Sequence, residues 1–349
     1  MLAAARSIPP TKRAYNRMRP TTATRPNGRV RDIFQSPGDR TISLDHFPRG
    51  VLVPALTPFQ ADLAVDGERF AAHCRWLLSE GADGLAVFGT TSEANSLDAG
   101  ERRHLLERLI DGGIAPGVLM PGTGCCALPD TVALTRHAVE HGCFGVLMLP
   151  PFYYKGVGDD GIYASIAEVV ERVGDSRLRV YLYHIPPMAS VGFSREVISR
   201  LLKSYPGIVV GLKDSSGDWN HTRGLLEAFP GFEVFPGSET YLLDALRLGG
   251  AGCISATANV NVAAMHRLMQ AWRTSSADRL QQELTAVRAA IQKFPMVPAN
   301  KAILAELRQA PGWNVVRPPL RPLADETKQT LFASLTALGF TLDRPAAAA

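Results

Sequence analysis

From residue 50 onward, short apolar runs alternate with longer stretches whose apolar positions recur at helical spacing. The short runs are 51–56, 84–88, 118–121, 145–149, 180–183, 208–212, 233–235 and 252–254. A continuous apolar run closed by turn residues is the pattern of a strand buried on both faces. Between these runs, residues 67–80, 99–111, 128–141, 161–173, 194–204 and 238–248 carry the period of amphipathic helices. Eight β-then-α units in about 220 residues, with strands about 25–35 residues apart, predict a closed (β/α)8 barrel of the TIM type. An open doubly wound sheet is the alternative, but no glycine-rich dinucleotide fingerprint accompanies the pattern. Residues 265–339 read as about three further helices without a strand, interrupted by Pro295, Pro298 and the prolines of 311–322. The expected organisation is a disordered basic leader over 1–45, the barrel over 46–262, a helical extension over 263–343 and a tail over 344–349.

Composition narrows the function classes. The 349 residues are 46% hydrophobic and 20% charged, an ordinary globular balance. No apolar run approaches the roughly 18 residues a membrane-spanning helix requires. The net charge of +4 is local, because the first 31 residues hold eight Lys or Arg and no acid. The remainder holds 29 basic and 33 acidic residues, which gives no electrostatic footprint for nucleic acid. The leader lacks the apolar segment of a secretory signal, and its four prolines oppose a continuous amphipathic helix. It reads as a disordered arm or as upstream sequence outside the functional domain, with targeting and interaction as alternatives. The five cysteines show neither a CxxC pair nor Cys/His ligand spacing, a usage that suits a reducing cytoplasm.

In a barrel of this kind, chemistry sits at the C-terminal ends of the strands. Lys213 is placed as the first residue beyond the apolar run 208–212. An amine kept out of water is costly to hold charged, so a lysine so placed can attack a carbonyl and form a Schiff base. The bland alternative is a strand-edge lysine that snorkels to solvent. Tyr183 ends the neighbouring run, where a phenol can move protons at a carbinolamine; otherwise it is a core aromatic. Gly89-Thr90-Thr91-Ser92-Glu93 follows the second run. Its backbone N–H groups can form a nest for a small carboxylate, with the Thr hydroxyls as proton relays. The same residues could simply cap the next helix. Strand alternation turns His184 outward, and Glu93 is expected to shape its loop. Neither a carboxylate pair nor a histidine cluster is expected at these ends, so metal catalysis has no support in the pattern.

Six motifs in order resemble the dihydrodipicolinate synthase/N-acetylneuraminate lyase family of pyruvate-dependent class I aldolases. They are Thr57-Pro58-Phe59, the loop 89–93, Gly122-Thr123-Gly124, Tyr183-His184-Ile185-Pro186, Gly211-Leu212-Lys213-Asp214 and the segment 252–259. The resemblance implies that Lys213 carries the imine, that Tyr183 shuttles protons and that Thr90 and Thr91 hold the pyruvate carboxylate. It implies that the backbone at Ile254 faces the pyruvyl group. A second catalytic tyrosine, reaching into a neighbouring subunit, falls at Tyr153 or Tyr154, with Tyr153 favoured. No cofactor beyond the covalent imine and no metal is implied, and the chain is expected to be a cytoplasmic homo-oligomer, a dimer or tetramer.

Departures from the family pattern bear on the second substrate. The segment 187–192 contains no arginine, whereas the lysine-biosynthesis synthases carry one there for the aldehyde's carboxylate. Ser238 and Glu239 lie where the sugar-acid lyases contact a hydroxylated chain, and a desolvated Glu239 would repel an anionic aldehyde. The expected substrate is therefore a 2-keto-3-deoxy sugar acid or a 4-hydroxy-2-keto acid. The alternatives are 4-hydroxy-tetrahydrodipicolinate synthesis from pyruvate and aspartate semialdehyde and, more remotely, a non-catalytic 2-keto-acid sensor.

Overall fold

A computed structural model describes residues 49–341; the expected leader and tail lie outside the described residues. The strands are β1 Gly50–Val53, β2 Gly84–Leu85, β3 Val146–Met148, β4 Val180–His184, β5 Val209–Asp214, β6 Glu233–Pro236 and β7 Gly252–Cys253. All pairings are parallel and form two arcs, β2-β1-β7 and β3-β4-β5-β6. On one side, single bridges from Leu85 to Leu119 and from Gly122 to Leu147 join the arcs. On the other, the N–H of Ala251 donates to the Val234 carbonyl (3.0 Å) and that of Ile254 to the Pro236 carbonyl (3.1 Å), closing the barrel.

The expected strand over 118–121 occupies its place in the ring without forming a regular ladder. Pro116–Val118 is a 3-10 turn, and Pro121 has no N–H to donate. The expected boundary at 262 falls inside the helix Ala258–Ala271, which kinks at Asn261.

Strand alternation sorts the side chains into two layers. Val51, Val53, Val180, Leu182, Val209 and Leu212 face outward and pack with helix residues such as Ile166, Val197 and Leu201. Leu52, Ala86, Met120, Leu147, Tyr181, Tyr183, Phe235 and Ile254 fill the barrel interior. Burying each large aliphatic side chain contributes about 1.5–3 kcal/mol, the term that holds both layers together. The ring closes most tightly at Gly252, with φ +143, where a Cβ would stand 1.8 Å from the Gly50 carbonyl oxygen. No L-residue fits there.

Three further helices, Ala277–Ile291, Met296–Leu307 and Asp325–Ala337, form the expected extension. Ile291, Ile303, Leu304, Trp313, Leu331 and Leu335 make its own apolar core, which includes Leu56 and Val260 from the barrel segment. Beside this junction Asn259 is fully satisfied. Its oxygen accepts from Leu56 N–H and His73 Nε2–H, both at 2.9 Å, and its amide donates to the carbonyls of Pro54 (3.0 Å) and Ala256 (2.9 Å). Arg308 donates to the other nitrogen of His73 at 3.0 Å, which fixes the tautomer. Of the described residues, no helix is long and apolar enough to cross a membrane.

Candidate active site

Lys213 lies within β5 rather than beyond it, because it is paired on both sides, with Tyr183 of β4 and Phe235 of β6. Parallel pairing in register turns Lys213 and Tyr183 to the same, inward side. The Lys213 side chain is buried, and its Nζ sits 4.3 Å from the centroid of the Tyr183 ring. Among the described residues no carboxylate forms an ion pair with it. The Tyr183 hydroxyl donates to Thr90 Oγ1 at 3.2 Å. The structure thus brings together the three residues that the strand ends single out.

Two left-handed residues shape the threonine loop. Phe88 (φ 60) ends the second barrel position, and Glu93 (φ 55) turns the chain into the short helix Ala94–Ser96. Thr91, Ser92 and Glu93 are buried, Thr90 is half-buried, and the Thr57 hydroxyl ties the loop down by donating to the Ser92 carbonyl at 2.8 Å. Gly122 lets the third segment approach, since a Cβ there would meet the Phe88 carbonyl oxygen at 2.2 Å. A small cavity between Phe88, Gly89, Thr90, Gly122, Gly124 and Tyr183 lies against the loop.

Glu93 shapes its loop, as expected, but through partners that its neighbourhood in sequence does not reveal. Its carboxylate forms a buried ion pair with Lys301 and accepts from the Arg317 N–H at 3.1 Å. Lys301 also donates to the Val315 carbonyl at 2.8 Å. Burial pulls the Lys301 ammonium below the usual lysine range, and Glu93 works against that shift. Arg317 grips Glu101 with both terminal guanidinium nitrogens, at 2.8 and 2.5 Å, and donates to the Ser96 carbonyl. The helical extension therefore clamps the loop that carries Thr90. A lysine inside the apolar stretch 297–305 was the sequence signal for this pair.

The expectation for Glu239 requires correction. It is fully buried, and its carboxylate accepts from Ser255 Oγ and Thr257 Oγ1, with Arg288 Nη1 3.4 Å away. Its acceptor capacity is taken and a guanidinium balances its charge, so the like-charge case against an anionic aldehyde falls. Ser238 is half-buried and exchanges hydrogen bonds with Thr240. Ile254 is buried, with its N–H committed to Pro236.

Tyr153 and Tyr154 are 74% and 70% exposed and meet edge to face at 5.4 Å. The segment 187–192 has a cation beside it after all. Lys155 donates to the Ala189 carbonyl at 2.8 Å and to that of Phe152, tying two rim loops together.

His184 faces outward, as alternation requires, but it belongs to a histidine cluster where none was expected. Its ring stacks on His221 at 4.4 Å, and its Nδ1 accepts from the Phe193 N–H at 3.0 Å. Asp214 accepts from His221 Nδ1 (2.9 Å) and from the Thr222 hydroxyl (2.7 Å). Burial would raise the Asp214 pKa, but these bonds outweigh it and lower the pKa. The Asp214 bond is also the main reason that the His221 pKa is raised. Burial, reinforced by His221, takes His184 down to about 4.

A closed barrel with a buried lysine, a phenol and a threonine hydroxyl at its rim is the architecture of a lyase of the Schiff-base class. The chain belongs to the dihydrodipicolinate synthetase family, whose model matches residues 47–338. It is 35% identical over 289 residues to a DapA-like lyase of Chloroflexus aurantiacus, covering 82% of this chain and 96% of that one. It is 32% identical to a 4-hydroxy-tetrahydrodipicolinate synthase of Thermus thermophilus, covering 81% and 94%. Among solved structures, dihydrodipicolinate synthase from Agrobacterium tumefaciens superposes with a TM-score of 0.78 at 33% identity, covering 83% of this chain and 99% of that one. A pyruvate complex of a prophage protein of the family from E. coli K12 gives 0.77 at 28% identity, covering 86% and 100%. The chain is accordingly a class I pyruvate-dependent lyase on a (β/α)8 barrel.

Proposed function

We propose that Lys213 is the imine-forming residue and that Tyr183 and Thr90 relay protons to and from it. The observation that carries this is the environment of Lys213: a buried amine without a carboxylate partner among the described residues, over a tyrosine whose hydroxyl reaches Thr90. The amine adds to C2 of a 2-keto acid, and water leaves as the imine forms. The imine then accepts the electron pair released when C3 loses a proton or when the C3–C4 bond breaks. In cleavage, the 4-hydroxyl proton passes to the Tyr183–Thr90 relay as an aldehyde departs, C3 of the resulting enamine takes a proton back from it, and water then hydrolyses the imine to pyruvate and the free lysine. The N–H groups and hydroxyls of Thr90 and Thr91 hold the carboxylate. No cofactor beyond the imine is needed. The backbone at Ile254 borders the pyruvyl group, and Tyr153 serves a neighbouring subunit in a cytoplasmic homo-oligomer, a dimer or tetramer.

The second substrate is assigned to the hydroxylated class, a 2-keto-3-deoxy sugar acid or 4-hydroxy-2-keto acid. The loop 187–192 lacks arginine, Lys155 spends two donors on main-chain carbonyls, and Ser238 and Thr240 offer hydroxyls after β6. Synthesis from pyruvate and aspartate semialdehyde is the second reading. It is favoured by the names of relatives at 30–32% identity and by the third, uncommitted N–H of Lys155.

Borohydride reduction in the presence of pyruvate tests the centre of this reading, and peptide mapping should place the reduced pyruvyl group on Lys213. A label on another lysine, or none, would reject the mechanism. The two substrate classes separate by kcat/KM in one assay series. A tenfold advantage for aspartate semialdehyde reverses the assignment.

A further inference from the structure

Away from the barrel mouth, two neighbouring helices bring together imidazoles that the chemistry above does not use. Helix Leu128–Glu140 carries His137 in its last turn, and His141 caps it one turn further on. Helix Ala99–Asp111 lays Glu107 against them. The two rings are 4.2 Å apart between centroids, and one ligand-type atom from each of the three residues lies within 4.8 Å of the others.

The His141 tautomer is already set for coordination. His141 Nδ1 is 2.9 Å from the His137 carbonyl, which can only accept, so this nitrogen carries the proton and Nε2 keeps its lone pair. His137 Nε2 is buried without a hydrogen-bond partner. Glu107 Oε1 lies 3.4 Å from it, off the line a hydrogen bond needs. That separation matches an edge of a zinc tetrahedron, where bonds of about 2.0–2.1 Å put ligand atoms roughly 3.3 Å apart. A main-chain carbonyl behind a ligating imidazole, as at His141, is the usual outer support of a metal site.

We propose that Glu107, His137 and His141 form a binding site for a divalent first-row transition ion of the zinc or nickel class. The fourth position falls to water or to His104, whose Nδ1 is 4.0 Å from Glu107 Oε2. Two imidazoles and one carboxylate select against magnesium and calcium, which require oxygen shells. The cluster His184–Asp214–His221 is the weaker candidate, since Phe193 occupies His184 Nδ1 and His221 and Thr222 occupy Asp214 Oδ2. Barrel helices run antiparallel to their strands, so the C-terminal turns of these two helices lie at the end remote from Lys213. The ion would therefore cross-link two helices and stabilise the fold without entering the reaction.

The test is calorimetric titration of tag-free full-length protein with zinc chloride, with nickel chloride in parallel and magnesium chloride as control. Thermal unfolding and keto-acid turnover are measured on the same samples. The expected result is one zinc per chain at micromolar affinity or tighter, and a Tm that rises with zinc while turnover stays constant. Glu107→Gln combined with His141→Ala, both at half-exposed positions, should weaken binding by on the order of a hundredfold and leave the apo Tm near wild type. His221→Ala should leave binding unchanged. Zinc binding that survives the double variant, binding lost in His221→Ala, or no stoichiometric binding would each overturn the proposal.

Discussion

Among the described residues two lysines are buried, and they differ in everything except burial. Lys301 is fully enclosed, paired with Glu93 and bonded to the Val315 carbonyl. Lys213 is 3% exposed and faces a tyrosine ring instead of a carboxylate. Pairing satisfies an ammonium and takes its lone pair out of play, whereas leaving an amine unpaired among hydroxyls keeps it available to attack. The difference teaches that burial alone does not single out a candidate nucleophile, and that the lack of a countercharge is what separates Lys213 from Lys301. It also divides the molecule. The helical extension supplies fixed ionic clamps, and the barrel interior supplies the unclamped group.

The contrast breaks most sharply by exchanging the two losses. Lys213→Met should abolish turnover and borohydride trapping while the unfolding transition stays within a few degrees of wild type. If turnover survives, the nucleophile lies elsewhere. Tyr183→Phe retains the ring under Lys213 and deletes the hydroxyl, and kcat should fall by about 10²–10⁴ with KM changed less. A loss of threefold or less would make Tyr183 a packing residue only.

Lys301→Met acts on the other side of the comparison. It strands a buried carboxylate and should cost about 3–5 kcal/mol in urea unfolding, with pyruvate trapping at Lys213 intact. Adding Glu93→Gln should restore most of that loss. A full cost that persists in the double variant would show that shape, rather than charge, holds the loop.

The smallest effect is a dependence of stability on pH. His73 lies at about 3, mainly through burial and then through Arg308, against the pull of its Asn259 bond. His184 lies at about 4. Unfolded histidine titrates near 6.5. Below that value the unfolded chain binds protons that these native rings refuse. Stability therefore falls as pH drops from about 6.5 towards 4, by up to about 1.4 kcal/mol per pH unit for each ring. His221, raised by Asp214, acts in the opposite sense and loses its contribution as pH rises through its folded value. Urea titrations at pH 7 and 5 should show a shallower loss for His184→Asn than for wild type, and equal slopes would reject the assignment.

Local pattern carried most of the barrel and the proposed catalytic trio into view. Alternation placed Tyr183 inward and His184 outward, and the apolar run before Lys213 located the lysine to within one residue of its strand end. What stayed hidden has no local period. Glu93 and Lys301 are 208 positions apart, and Glu93 and Arg317 are 224 apart, so nothing in either neighbourhood names the other. Glu239 misled for the same reason, since the arginine that balances it stands 49 residues away on a different helix. His137 and His141 stand four residues apart in the sequence, but the carboxylate opposite them comes from another helix, and only the fold supplies it.

The cross-links made by Asn259 have a kinetic meaning. They join groups 203 and 205 residues apart, and the tight seam between Gly50 and Gly252 sits beside them in the chain. Such contacts form only after a very long loop has been closed, so they contribute late on the path to the native state. A weakened seam should therefore reveal itself in how fast the ring opens, with the rate at which it assembles nearly unchanged. Resistance to heat or proteolysis would then be set by the lifetime of one asparagine's four hydrogen bonds.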